Sequence, residues 1–197
     1  MIIKSQIAVN LPNILTFLRF ILTPLFLIFF CIYFFSAEKN FFGIFAIFLF
    51  IVICLTDILD GYMARKKGVA STFGMYFDVS ADFFFRFSSF LLFCFLKIIP
   101  FALVVVYSIF FIEFILMSKI NTAENIIPEI SIFRKSAPIL YMLFIGVVIL
   151  KDFFPDSISG LINLSAISYA LAIFTLLAIT EILVFFSLRI LRREILQ

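Results

Sequence analysis

Four aspartates stand in this chain where an apolar sequence has least room for them. Asp57 and Asp60 close one strongly apolar stretch, and Asp78 and Asp82 open the next. Spacings of three and four residues put each pair on one face of a helix. A carboxylate within a bilayer costs at least about 2.5–3.5 kcal/mol, so a membrane helix keeps one only for a purpose. If the two stretches cross in opposite directions, both pairs lie at one depth and the four carboxylates converge. Close together they cannot all stay ionised without cations, which leaves protonation or divalent metal as the compensation. The donors are oxygen only, which suits Mg²⁺ or Mn²⁺ rather than zinc. Two such ions held by paired aspartates form a clamp for pyrophosphate chemistry, neutralising the bridging oxygens and the leaving group. The residues between the pairs suit a phosphate-bearing ligand. Gly61 removes a side chain where a ligand could approach the backbone, and Ala64 keeps that face open a turn later. Arg65 offers a fixed cation and a bidentate fork, and Gly74 does for the second stretch what Gly61 does for the first.

The elements that must position these residues are membrane helices. Of 197 residues, 65% are hydrophobic and only 14% charged, with a mean hydropathy of +1.27. Soluble domains run at about 45–50% apolar and about 25% charged, so this chain lacks the polar surface to solvate a globule. Six apolar stretches can be read, at residues 14–35, 41–60, 74–96, 98–118, 137–151 and 160–188. Most approach the roughly 20 residues a membrane helix needs. Breaks fall at 36–40, 66–71, 121–128 and 155–160, and the third and fourth stretches are joined so tightly near Pro100 that only a hairpin fits. Residues 1–12 alternate apolar and polar and read as a short surface helix. The first apolar run is too long for a signal-peptide core, so no cleaved leader is expected.

Six spans put both termini on one side. Lys4, Arg19, Arg65, Lys66, Lys67, Lys119, Arg134, Lys135, Arg189, Arg192 and Arg193 fall at one set of ends, against Lys39, Lys97 and Lys151 at the other, a tally of 11 to 3 with Arg86 left out as intramembrane. By the positive-inside rule the termini and the Asp-bearing ends face the cytoplasm. No repeat or linker divides residues 1–197, which read as one membrane domain. The absence of histidine excludes His-based triads, bases and zinc sites. Cys31, Cys54 and Cys94 lie far apart in apolar runs and read as buried packing thiols. A net charge of +3 is too small to suggest nucleic acid as a partner.

Read as one string, Asp57-x-x-Asp60-Gly61-x-x-Ala64-Arg65, eight residues, then Gly74-x-x-x-Asp78-x-x-x-Asp82 resembles the signature of the CDP-alcohol phosphatidyltransferase family at every position and spacing. The opening segment from Asn10 to Arg19, with Pro12, Thr16 and the later Pro24, is similar to that of the phosphatidylglycerophosphate synthase branch. The resemblance implies an all-α integral membrane enzyme of six helices with its site at the cytoplasmic face of the plasma or inner membrane. It implies phosphatidyl transfer from CDP-diacylglycerol to a small alcohol with release of CMP. Asp57, Asp60, Asp78 and Asp82 would hold two Mg²⁺ or Mn²⁺ ions, Asp78 bridging them, and Asp82 would be the general base. Gly61, Ala64, Arg65 and Gly74 would line the CDP site. Homodimers are usual in the family.

Glycerol-3-phosphate is the acceptor that the opening segment favours; inositol phosphate, inositol and serine are alternatives. The sequence differs from that branch in having Phe83 after Asp82, Val79 after Asp78, and Ile112 before Glu113. A phosphorylated acceptor needs cations near Asp82, and Arg86, Lys119, Arg134 and Lys135 are the candidates. Arg86 either neutralises Asp82 at i+4 or reaches substrate. Glu113 and Glu181, within spans, read as structural partners, and Asn13, Thr16 and Arg19 as a polar stripe able to cap the nucleotide cavity. The rivals are an intramembrane prenyltransferase, whose Asp motifs lie farther apart in the chain, and a cation transporter, which leaves Gly61, Arg65 and Gly74 without a task.

Overall fold

The computed structural model describes residues 2–36, 39–67, 72–123, 132–154 and 162–195, with side chains described within 14–36, 40–60, 74, 76–118, 133, 135–154, 162–184 and 187. All regular structure among them is α-helical: α1 (Ile2–Phe35), α2 (Lys39–Lys67), α3 (Thr72–Phe95), α4 (Phe101–Ala123), α5 (Ile132–Phe153) and α6 (Leu164–Ile195). Lipid offers backbone groups no hydrogen bonds, so an apolar chain of this kind satisfies them within each segment. Hydroxyls do the same: Thr23, Ser89, Ser168 and Thr175 each donate to the carbonyl four residues back.

Five helices are long and apolar enough to cross a membrane, through Ile14–Phe35, Asn40–Asp60, Phe101–Ser118, Lys135–Phe153 and Leu164–Val184. The third expected span is a 24-residue helix, α3, set apart from the others by Asp78, Asp82 and Arg86. Residues 2–13 are not a separate surface helix but continue α1. At about 1.5 Å per residue that helix outruns the roughly 30 Å hydrocarbon layer. Large apolar side chains such as Phe17, Phe48, Ile58 and Ile139 stay exposed, as lipid-facing positions do.

The helices divide into two compact units, Met1–Leu92 and Phe93–Gln197. In the first, α1 packs along α2, and phenylalanines tie α3 to both. Phe26 of α1, Phe50 of α2 and Phe85 of α3 form a ring cluster with centroids 5.6 Å (Phe26–Phe85), 6.3 Å (Phe50–Phe85) and 6.4 Å (Phe26–Phe50) apart. Phe20 meets Phe77 and Phe84 in addition. Such pairs contribute about 0.5–1.5 kcal/mol beyond the area they bury. The cluster anchors the three helices close to Arg19, Asp57 and Arg86. The abundance of phenylalanine, which carries no meaning as composition, thus has a structural use here.

In the second unit α4 and α5 each pack on α6. Tyr107 of α4 meets Tyr141 of α5 edge-on at 4.8 Å. The Tyr141 hydroxyl and Thr175 Oγ1 of α6 share a buried hydrogen bond of 2.6 Å. Ala137, Ser168 and Ala178, fully buried, let these backbones approach closely. The three cysteines are free and half-buried rather than fully packed away.

The turn after α3 carries a backbone signature. Lys97 has φ 59°, the left-handed region in which a side chain costs roughly 1–2 kcal/mol. The Ile98 N–H donates to the Phe93 carbonyl at 2.9 Å and Lys97 N–H to Cys94 at 3.0 Å, so the helix is closed as a glycine would close it. Lys97→Gly is therefore expected to stabilise the protein by about 1 kcal/mol, measured as a higher unfolding midpoint in detergent.

Candidate active site

Three helices supply the polar residues of the first unit. α2 brings Asp57 and Asp60 near the end of its apolar stretch. α3 brings Asp78, Asp82 and Arg86 as an i, i+4, i+8 stripe, and α1 brings Thr16, Arg19 and Thr23 on one buried face. One carboxylate oxygen from each of Asp57, Asp78 and Asp82 lies within 4.8 Å of the other two. One member of the α2 pair thus lies beside both members of the α3 pair.

Arg19 occupies the centre of this group with no exposed side-chain surface. Its Nη1 donates to Asp78 Oδ1 at 3.0 Å and also to Asp82 Oδ1, and its Nη2 lies 3.4 Å from Asp57 Oδ1. Arg86 Nη2 donates to Asp82 Oδ2 at 2.9 Å and stands 4.0 Å from Asp57 Oδ2. Both oxygens of Asp82 are thus held by guanidinium groups. Side-chain exposure rises from 0% at Arg19 and 9% at Arg86 to 30% at Asp57 and 37% at Asp78. The arginines close the buried side and the carboxylates face the accessible one.

Asp60 is placed differently from the expectation. It is buried, its Oδ2 accepts a 2.8 Å hydrogen bond from Thr16 Oγ1, and it is not one of the three whose oxygens converge. Arg86 stands in the acidic group rather than clear of it, taking the first of its two expected roles, because i+4 on α3 puts its guanidinium against Asp82. Gly74 is half-buried in the first turn of α3, one turn before Asp78. Gly61, Ala64 and Arg65 continue α2 past Asp60, but their side-chain surroundings lie outside the described residues, as do those of Lys119 and Arg134. Lys135 is exposed in the first turn of α5; Glu113 is buried on α4, and Glu181 is exposed on α6.

The place of Arg19 among the carboxylates is what sequence reasoning misses, because along the chain it reads as a helix-end charge and a candidate cavity cap. A signal exists nonetheless. Thr16, Arg19 and Thr23 recur at helical spacing inside an apolar stretch, and an arginine five residues into such a stretch needs partners.

The donor set fits a divalent cation. It is all carboxylate oxygen, converging and partly accessible, which is the hard-ligand chemistry of Mg²⁺ or Mn²⁺. Three converging carboxylates face two guanidinium groups there, those of Arg19 and Arg86.

A sequence model of CDP-alcohol phosphatidyltransferases matches residues 9–188, which includes all of these residues. The chain belongs to the CDP-alcohol phosphatidyltransferase family. As a member of it, with five helices of spanning length, it is a multi-pass membrane protein. Curated relatives match over shorter stretches. The chain is 37% identical over 79 residues to a protein of Mycobacterium tuberculosis (strain H37Rv) named "Probable phosphatidylglycerophosphate synthase", covering 40% of this chain and 36% of that one. Two proteins named "CDP-diacylglycerol--glycerol-3-phosphate 3-phosphatidyltransferase" are similar to it as well. That of Rickettsia typhi is 38% identical over 73 residues, 37% of this chain and 38% of its own length. That of Aquifex aeolicus is 37% identical over 86 residues, 44% of each chain. The matched part thus spans about two fifths of the length of these relatives.

Proposed function

We propose that this member of the family transfers the phosphatidyl group of CDP-diacylglycerol to an alcohol, with glycerol-3-phosphate as the acceptor. The observation that carries the reading is the convergence of Asp57, Asp78 and Asp82 within 4.8 Å, inside a family match that runs from residue 9 to residue 188. The names borne by the bacterial relatives support the acceptor.

In this mechanism the acceptor hydroxyl attacks the β-phosphorus of CDP-diacylglycerol. A P–O bond to the acceptor forms, the P–O bond to the bridging oxygen breaks, and CMP departs with that oxygen. Asp82 takes the hydroxyl proton. Its plane is held from both sides by Arg19 and Arg86, so the accepting oxygen is pre-positioned. Asp57, Asp60, Asp78 and Asp82 would hold the divalent ions, two in this reading, which would supply charge neutralisation at the diphosphate and the departing CMP. Gly61, Ala64 and Gly74 leave room for the nucleotide, and Arg65 meets the diphosphate. Arg86 acts on the acceptor through its hold on Asp82.

We place this site at the cytoplasmic face of the plasma or inner membrane. The six apolar stretches support six crossings, and the 11-to-3 distribution of basic residues supports an orientation with both termini inside. The diacylglycerol tails then stay in the bilayer while the polar group opens to cytosolic nucleotide and alcohol. The test is CMP release from CDP-diacylglycerol in membranes supplied with Mg²⁺ or Mn²⁺. Glycerol-3-phosphate is expected to give the fastest release among glycerol-3-phosphate, inositol phosphate, inositol and serine. Faster release with another alcohol would replace the acceptor but keep the reaction, and no release with any of them would remove both.

A further inference from the structure

We infer that Arg19 is a positioning residue of the acidic centre: a built-in counter-charge from α1 that gathers Asp57, Asp78 and Asp82 and competes with a divalent cation for them. This rests on the reading of those aspartates as cation ligands.

The geometry separates Arg19 from an ordinary buried ion pair. Arg86 lies on the same helix as Asp82, four residues on, and would find that partner in α3 alone. Arg19 comes from a different helix and reaches α2 through Asp57 and α3 through Asp78 and Asp82. Among the described residues, its guanidinium is the one that forms ion pairs with all three carboxylates. That group carries five donor hydrogens, yet Nε makes no hydrogen bond and Nη2 meets Asp57 only as a charge contact. What holds it there is mostly the summed negative charge, in a position with no exposed side-chain surface. Neighbouring threonines frame it: Thr23 Oγ1 donates to the Arg19 carbonyl at 2.8 Å, and Thr16 a turn earlier holds Asp60.

Competition follows from the atoms involved. Asp78 Oδ1 and Asp82 Oδ1 already accept from Arg19, and the other oxygen of Asp82 accepts from Arg86. A cation entering among these carboxylates must share their lone pairs with Arg19 and bear its repulsion at close range. Linkage is reciprocal: what loosens the hold of Arg19 is opposed by Arg19 to the same degree. The arginine keeps the three helices assembled when no divalent ion is held, and it keeps the ion from being held too tightly.

The test uses the purified full-length chain in detergent, without CDP-lipid. Mn²⁺ binding is followed by the electron paramagnetic resonance of the free ion, and thermal unfolding is recorded in EDTA. Arg19→Gln is expected to unfold at lower temperature in EDTA and yet to bind Mn²⁺ about tenfold more tightly than wild type. Arg19→Lys keeps the charge but cannot span three carboxylates, so its Mn²⁺ affinity should fall between the two. A purely structural arginine predicts the opposite, since a loosened cluster binds Mn²⁺ more weakly. Unchanged or weaker Mn²⁺ binding in Arg19→Gln overturns the inference. If that variant does not fold, Arg19→Lys decides: tighter binding than wild type supports competition, and equal or weaker binding overturns it. Wild-type CMP release alongside weaker Mn²⁺ binding in the variants removes this inference alone. Absent CMP release alongside tighter Mn²⁺ binding removes the proposed function alone.

Discussion

Asp78→Asn is expected to abolish CMP release while leaving the protein folded in detergent. Asp78 is the most accessible of the three converging carboxylates, at 37% side-chain exposure, and is the one that the family resemblance would set between both ions. Changing groups that merely support a metal ligand costs about 10–100-fold in affinity or activity, so loss of this ligand should exceed that. The fold should survive because Arg19 keeps Asp57 and Asp82, and because the ring cluster of Phe26, Phe50 and Phe85 is untouched. The measurement is CMP release beside the melting temperature of the same preparation. Wild-type rates in the variant would take Asp78 out of the site.

Asp82→Asn should stop turnover while sparing much of the binding of CDP-diacylglycerol. An amide cannot take the acceptor's proton, and loss of a general base typically costs about 10²–10⁴ in rate. The substitution also touches stability, because Arg19 and Arg86 each lose a charged partner there, and breaking a buried pair costs about 3–5 kcal/mol. Asn keeps one oxygen for one of them and should soften that loss. The informative measurement is therefore kcat at saturating lipid on folded protein. If turnover persists at the wild-type rate, another residue is the base. A raised KM with an unchanged kcat would assign Asp82 to binding.

These two substitutions probe the part of the site that is legible in the amino-acid sequence. Carboxylates in an apolar chain are conspicuous because lipid penalises them, and spacings of three and four residues resolve into helix faces without knowledge of the fold. The helical architecture is legible for the same local reason, with boundaries off by a turn or more. Residues 2–13 extend α1, and α5 begins five residues before the expected stretch. Arg86 is half-legible, since its i+4 relation to Asp82 lies within one helix. Asp60 reads in sequence as the equal of Asp57, and only the neighbouring helix separates them: Thr16, 44 residues away, holds Asp60.

Residue identity and periodicity determined that this chain is a helical membrane protein with an oxygen-rich acidic motif on two successive helices. Those features depend on how each short segment trades against lipid, so they can be read along the chain. Tertiary structure decided which cation sits among the carboxylates. Arg19 lies 59 and 63 residues from its partners Asp78 and Asp82, and α1 must pack on α2 and meet α3 through phenylalanine rings before it can reach them. Packing of that kind is set by the shapes of several distant surfaces at once, and no local pattern records it.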